Sequence, residues 1–96
     1  MTAFFVVTTA IKDPEKFQEY GAKAGQTFAP YGGKLVMRGK AEQALAGEVN
    51  HQGVSIVGFP DMDALNSWYQ SAEYQALIPL RDEAVDMTLI TYNEPT

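Results

Sequence analysis

The chain has no cysteine and only one histidine, and these two shortages exclude several kinds of site. Without cysteine it forms no disulfide bond and no thiolate metal site. His51 has no second histidine and no cysteine near it in the sequence, so we expect no metal centre. A chain of 96 residues buries only about two thirds of the surface that it exposes when unfolded. Because no covalent staple supports so thin a core, association with another chain is the common remaining way to stabilise it.

Basic residues are also scarce, with seven Lys and Arg against twelve Asp and Glu and a net charge of −5. That charge opposes general binding to nucleic acids and to anionic membranes. No apolar run approaches the roughly 20 residues that cross a bilayer. The N-terminal segment, Met-Thr-Ala-Phe-Phe-Val-Val, lacks the basic flank and the length of a signal peptide. We therefore expect a cytoplasmic protein without a membrane partner.

Several sequence motifs that would name a reaction are missing. The pair Gly32-Gly33 is typical of a turn and is not the glycine pattern that holds a pyrophosphate. The chain contains no phosphate-binding loop, no zinc-protease motif and no nucleophile elbow. Residues 52–59 loosely fit the third strand of RNA recognition motifs, but Val54 and Ile56 replace the two base-stacking aromatic residues and Gln52 replaces the leading cation. We therefore expect no nucleic-acid partner.

Four segments rich in β-branched and aromatic residues predict strands over 3–11, 34–38, 54–59 and 87–92. Asp13-Pro14-Glu15 is typical of a helix start, and Pro30 and Gly32 end this helix. Residues 40–51 form either an extended hairpin or a loop, and residues 93–96 are a tail.

A second helix is predicted to begin after Asp61 and to be broken near Ser71, which can cap its continuation. Pro79 lies within that continuation and should kink it or tighten its first turn. The resulting order, β-α-β-β-α-β, predicts an α+β ferredoxin-like fold: a four-stranded antiparallel sheet with both helices on one face. Residues 1–96 should form one domain.

The strands carry apolar residues on both faces, although the helices cover only one. Phe4, Phe5, Val6 and Val7 alternate across the first strand without a polar residue among them. An apolar sheet face exposed to water would favour aggregation. We therefore expect a homodimer in which the two open sheet faces stack. The alternative is a monomer whose open face binds an apolar ligand.

Three stretches carry a resemblance to a known family. They are residues 31–39 (Tyr-Gly-Gly-Lys-Leu-Val-Met-Arg-Gly), Phe59-Pro60-Asp61-Met62, and residues 68–77 (Trp-Tyr-Gln-Ser-Ala-Glu-Tyr-Gln-Ala-Leu) followed by Pro79-Leu80-Arg81. Together they resemble the bacterial family called domain of unknown function 1330, over nearly the whole chain. The resemblance implies a dimeric α/β barrel. Relatives of that fold include cofactor-free monooxygenases and lactone isomerases, so no cofactor is implied. The family usually carries Glu before the Phe-Pro pair, where this chain has Gly58.

Two groups of residues are candidates for ligand binding. Arg38 and Arg81 are the only arginines, and a guanidinium group suits a carboxylate ligand, although each could instead pair with an acid such as Glu42, Glu73 or Asp82. The aromatic candidates have polar tips that can bind a small molecule, or that can bond to the backbone while the rings pack: Tyr31, Trp68, Tyr69 and Tyr74.

His51 is a weaker candidate, because a polar turn before a strand normally holds a solvated histidine. A haem-binding barrel is disfavoured for the same reason.

These observations support two functional hypotheses. In the first, the protein is a dimeric cofactor-independent enzyme, of monooxygenase or isomerase type, or a binder, and it acts on a small anionic or aromatic molecule. In the second, it is a non-enzymatic interaction or stress-related module whose dimer surface is its function. The sequence does not decide between an enzyme and a binder.

Overall fold

A computed structural model describes residues 2–95. The strands are β1 (Ala3–Ile11), β2 (Lys34–Lys40), β3 (Gly53–Phe59) and β4 (Val85–Asn93). The helices are α1 (Pro14–Gly25), α2 (Met62–Gln70), α3 (Ala72–Gln75) and α4 (Ile78–Ala84), with a 3₁₀ turn at Ala29–Tyr31. The domain predicted over 1–96 and the tail predicted over 93–96 include Met1 and Thr96, which lie outside the described residues.

The four strands form one antiparallel sheet in the order β2-β3-β1-β4. β1 lies in the middle, where Val6 is opposite Ile56 of β3 and Ile90 of β4. The helices connect β1 to β2 and β3 to β4, and they pack on one face of the sheet. The predicted ferredoxin-like α+β fold is therefore confirmed.

Local capping interactions begin the helices where the sequence predicted. The Asp13 side chain accepts a hydrogen bond of 3.1 Å from the Lys16 amide, and Pro14 occupies the first turn of α1. Asp61 accepts one of 2.7 Å from the Ala64 amide at the start of α2. Ser71 ends α2 and caps α3, because its hydroxyl donates to the Trp68 carbonyl and accepts from the Tyr74 amide.

Several boundaries differ from the predicted ones. The second helical region divides into three helices rather than two, because a new helix begins at Ile78. Pro79 lies in the first turn of that helix, where backbone N–H groups have no carbonyl partner within the helix, so its missing N–H breaks no hydrogen bond. β2 extends to Lys40, and β4 begins at Val85 rather than at Met87. The segment after β2 is a loop, and only the Ala41 amide, bonded to the Gln52 carbonyl, continues the ladder.

The core lies between the helices and the sheet. Phe5 of β1 stacks on Trp68 of α2 with ring centroids 5.0 Å apart, and Phe59 of β3 lies 5.7 Å from the same indole. Trp68, Tyr74 and Phe59 are among the largest side chains that are fully buried. We call this side of the sheet the helix-facing side.

The opposite side of the sheet, the open face, is apolar and no other part of the described chain covers its centre. Phe4 and Tyr92 stack on it with centroids 5.2 Å apart. Met37, Ile90 and Tyr92 are 62%, 48% and 42% exposed, respectively. The expectation that both sides of the sheet are apolar is thus met by the strand register.

Replacing Gly33 with alanine should destabilise the fold. A β-carbon at this position would lie 2.6 Å from Cε2 of Phe59, whose ring is only 1% exposed and cannot easily move. Overpacking of this kind lowers the free energy of unfolding by about 1–3 kcal/mol. Urea unfolding measures this loss. The control is Gly21→Ala within α1, where a β-carbon meets nothing within 4 Å. That change should stabilise the protein by about 0.5–1 kcal/mol. A Gly33→Ala variant as stable as the unmodified protein would contradict this packing.

Candidate functional site

A cavity of about 410 Å³ lies between α1 and the helix-facing side of the sheet. Its volume falls in the range of small-molecule sites, which are roughly 300–1,000 Å³. Most of its walls are aromatic or aliphatic: Phe5, Val7, Phe28, Leu35, Trp68 and Leu89. Such a lining favours a ligand that is largely apolar.

The polar groups of this cavity are concentrated near Arg38. A second cavity of about 680 Å³ shares Thr9, Phe17, Arg38 and Ser55 with the first one and adds Lys40. Arg38 and Lys40 are exposed, and Arg38 forms no ion pair within residues 2–95. No aspartate or glutamate lines either cavity. The exposed end of this apolar cavity is therefore lined by two hydroxyl-bearing side chains, Thr9 and Ser55, and by two cations, Arg38 and Lys40.

A β-bulge directs Arg38 toward the cavity. Leu35 is opposite Val57, but the register then shifts, so that Met37 is opposite Ile56 and Arg38 is opposite Ser55. Without this shift, strict alternation would place Leu35 and Arg38 on opposite faces of the sheet. The extra residue brings both side chains to the helix-facing side, which is a common consequence of a bulge.

Behind the cavity, three tyrosines and an arginine form a hydrogen-bonded cluster, the tyrosine network (Tyr20, Tyr69, Tyr74 and Arg81). The hydroxyl oxygens of Tyr20 and Tyr74 are 2.8 Å apart. Nη1 of Arg81 donates to the Tyr74 hydroxyl at 3.2 Å and to the Tyr69 hydroxyl at 3.3 Å. Tyr74 is fully buried and Tyr20 is 8% exposed.

The environment of the tyrosine network shifts two pKa values upward. Burial raises the pKa of Tyr20 beyond its ordinary range, and the Tyr74 hydroxyl raises it further, whereas the charge of Arg81 lowers it only in part. Burial lowers the pKa of Arg81, but the hydrogen bonds to Tyr69 and Tyr74 outweigh burial and raise it. Tyr20 thus keeps its proton and Arg81 keeps its charge.

The structure brings together some of the candidates predicted from sequence and separates others. Tyr69, Tyr74 and Arg81 meet in the tyrosine network, and Arg81 also pairs with Asp82, one of the acids considered for it, at 3.2 Å. Arg38 lies at the cavity, apart from Arg81.

Trp68 and Tyr31 complete the set of aromatic candidates. Trp68 lines the cavity as a buried core residue, and its indole N–H donates to the Thr27 hydroxyl at 2.7 Å. Tyr31 lies elsewhere, in a groove that Lys23, Glu73 and Leu77 also line.

The expectation of a solvated His51 is wrong. Its side chain is only 16% exposed, and it folds back over the open face. Nδ1 lies 2.9 Å from the Thr8 hydroxyl, and Nε2 lies 3.3 Å from a carboxylate oxygen of Asp86. The physical reason is that β1 and β4 offer polar partners at this end of the sheet, which a reading of the turn alone does not reveal.

Four polar site residues were missed from the sequence: Thr9, Tyr20, Lys40 and Ser55. Tyr20 lies on the buried face of α1, and its hydroxyl joins the tyrosine network. A phenol within an otherwise apolar helix face needs a polar partner when it is buried, and this was the available signal.

A family model described as a domain of unknown function (DUF1330) matches residues 2–94. The chain belongs to this family. Among curated proteins, a search found no significant relative.

Solved structures similar to this DUF1330 chain show the fold. A protein of unknown function from Rhodopseudomonas palustris, RPA0582, is 22% identical, with a TM-score of 0.84 over 98% of this chain and 82% of that one. SnoaB, a cofactor-independent oxygenase from Streptomyces nogalater, is 15% identical, with a TM-score of 0.70 over 98% and 93%. A dabb family protein with a ferredoxin-like fold from Mesorhizobium loti is 12% identical, with a TM-score of 0.72 over 99% and 98%.

Gly58 occupies the position where the DUF1330 family is expected to carry Glu. It is buried, and it lies opposite Phe4 of β1 and Lys34 of β2. Because Phe4 belongs to the open face, this position points away from the cavity. A carboxylate here would not reach a ligand held on the helix-facing side.

Within residues 2–95, no group of three or more histidine or acidic side chains is placed to hold a metal ion. Within the same range, none of the helices has both the length and the hydrophobicity that a bilayer-spanning segment requires.

The raised pKa of Tyr20 predicts a loss of stability at alkaline pH. The native state keeps this proton above about pH 10, where an unfolded tyrosine releases it. Stability should therefore be fully present below about pH 10 and fall above it, by up to about 1.4 kcal/mol per pH unit. Urea unfolding between pH 8 and pH 11 measures this slope. Because other groups titrate too, the Tyr20→Phe variant is the control, and it should show a shallower slope. Parallel slopes for the two proteins would contradict the prediction.

Proposed function

We propose that this DUF1330 protein binds a small, largely apolar anion in the cavity between α1 and the sheet. The observation that carries the proposal is the distribution of charge. The chain has twelve acidic and seven basic residues, yet no acid lines either cavity, whereas Arg38 and Lys40 do. A net-acidic protein that keeps carboxylates away from one site and places cations there is suited to an anionic ligand.

The side chains divide the proposed ligand into two parts. Its apolar part lies against Phe5, Leu35 and Trp68, whose apolar side chains favour aromatic or aliphatic groups. Its anionic group lies near Arg38, whose planar guanidinium donates two parallel hydrogen bonds to a carboxylate. The hydroxyls of Thr9 and Ser55 line the same part of the cavity.

We further propose that the protein acts on this ligand as a cofactor-independent enzyme. Support comes from the shared fold of SnoaB, which is described as a cofactor-independent oxygenase. At 15% identity that similarity concerns the fold. Enzymatic activity of this chain is therefore a proposal, because a shared fold does not determine a reaction.

The proposal includes a cytoplasmic homodimer that is joined through the open face. Phe4, Ile56, Ile90 and Tyr92 form an apolar surface there, and no part of the described chain covers it. His51 covers the polar end near Thr8 and Asp86, so the partner would contact the apolar end. Stacking two copies removes this surface from water without any change in the fold of either chain.

Arg38→Gln should weaken binding of 2-naphthoate, a probe with an aromatic body and one carboxylate. Loss of a charge-assisted hydrogen bond of about 1.5–3 kcal/mol lowers affinity by roughly tenfold or more. Quenching of Trp68, the only tryptophan, reports binding, because Trp68 lines the cavity. The matched control is Lys34→Gln, which removes one positive charge from the open face of the same strand. An equal loss of 2-naphthoate affinity in both variants would mean that only the net charge of the protein matters. An unchanged affinity in Arg38→Gln would refute the anion site.

Ile90→Glu should convert the dimer into a monomer. The side chain lies on the apolar part of the open face, and a carboxylate there would be buried without a partner in a stacked dimer. Sedimentation velocity measures the mass. Leu45→Glu introduces the same acid at a loop position that is 89% exposed, and it should remain dimeric. A dimeric Ile90→Glu protein, or a monomeric unmodified protein, would contradict the proposed association.

A further inference from the structure

Within the tyrosine network, the buried hydroxyl pair of Tyr20 and Tyr74 contains one more hydrogen than the pair accepts. Tyr20 and Tyr74 each carry one hydroxyl hydrogen, and only one of the two can lie in the 2.8 Å contact between their oxygens. Neither hydroxyl has another side-chain or backbone acceptor within residues 2–95. Among the described residues, one hydroxyl hydrogen of this buried pair therefore has no acceptor.

The hydrogen bond from Arg81 to Tyr74 determines which of the two hydroxyl hydrogens has no acceptor. Its guanidinium has donors but no acceptor, so the Tyr74 oxygen must accept the hydrogen bond from Nη1. Accepting from a cation makes the Tyr74 hydroxyl a stronger donor. This polarisation favours the arrangement in which the Tyr74 hydrogen points to the Tyr20 oxygen, so that the chain of donors runs from Arg81 through Tyr74 to Tyr20. In that arrangement the hydrogen without an acceptor is that of Tyr20.

Tyr20 is the member of the network that borders the cavity. Tyr20 is among the lining residues of the 410 Å³ cavity, whereas Tyr69, Tyr74 and Arg81 are not. A hydroxyl hydrogen without a protein acceptor, on a side chain that lines a largely apolar cavity, is suited to an oxygen of the ligand.

We propose that the Tyr20 hydroxyl donates a hydrogen bond to a carbonyl or phenolate oxygen on the apolar part of the ligand. This rests on the proposed binding in the cavity, and it narrows the ligand class to largely apolar anions that also carry a ketone, quinone or phenolate oxygen. Arg81 acts through Tyr74, so negative charge on that oxygen would be stabilised by a partly buried cation that does not itself touch the ligand. Burial, which raises the pKa of Tyr20, keeps the hydroxyl protonated and able to donate.

Two neutral probes of the same shape test this donor. They are 2-acetylnaphthalene, which has a carbonyl oxygen, and 2-isopropenylnaphthalene, which has a methylene group in its place. The unmodified protein should bind the ketone about fivefold more tightly than the alkene. This is the difference in affinity expected from one hydrogen bond between neutral groups. Tyr20→Phe should bind both probes equally. Tyr92→Phe, which removes a hydroxyl from the open face, should keep the preference for the ketone.

The outcomes separate this inference from the proposed function. If 2-naphthoate binding depends on Arg38 but no preference for the ketone appears, or the preference persists in Tyr20→Phe, the role of Tyr20 is wrong and the anion site stands. If no naphthalene probe binds, both are wrong. Infrared spectroscopy of the bound ketone needs no variant and covers the case in which Tyr20→Phe does not fold. Its carbonyl band should lie at lower wavenumber than in an apolar solvent, and an unshifted band would overturn the inference.

Discussion

The sheet of this protein is apolar on both sides, and the chain contains helices for only one of them. This constraint organises the rest of the molecule. On the helix-facing side, Phe5 and Phe59 pack against Trp68, and a cavity remains between them and α1. On the open face, Phe4 and Tyr92 stack on each other, and no helix of residues 2–95 covers them. A layer of helices on one side thus creates both an internal site and an external apolar surface.

The position of Arg81 follows from the same one-sided packing. A guanidinium beside an aromatic core is costly to desolvate unless its donors are used. Here Tyr69, Tyr74 and Asp82 each accept a hydrogen bond from it. These partners come from α2, α3 and α4, so the breaks around Ser71 and Pro79 bring three short helices around one cation. The divided second helix is therefore part of how the tyrosine network is built.

Local signals in the sequence were sufficient to predict the fold. Asp13-Pro14, Asp61 and Ser71 begin helices through contacts within three or four residues, so the sequence near each cap contains the information. The direction of Arg38 could not be predicted in this way. It depends on a register shift between β2 and β3 that alternation within β2 does not show.

The partners of the site residues were equally hidden from local reasoning. His51 bonds to Thr8 and Asp86, which are 43 and 35 positions away. Tyr20 and Tyr74 are 54 positions apart. Contacts of this kind become visible only when the strand order and the helix packing are known together.

Alternation along the strands separates the two proposed roles of the sheet. Val7 and Val57 face the cavity, whereas their neighbours Val6 and Ile56 belong to the open face. If the open face holds a second copy, as proposed, substitutions at alternate positions change either association or ligand binding. Gly58 lies on the open side of this division. A carboxylate at that position in other family members would therefore alter the open face, where the second copy is proposed to pack, rather than this cavity. If family members bind ligands as proposed for this chain, differences in ligand class should follow the residues that line the helix-facing side, with Tyr20 and Arg38 foremost among the polar ones.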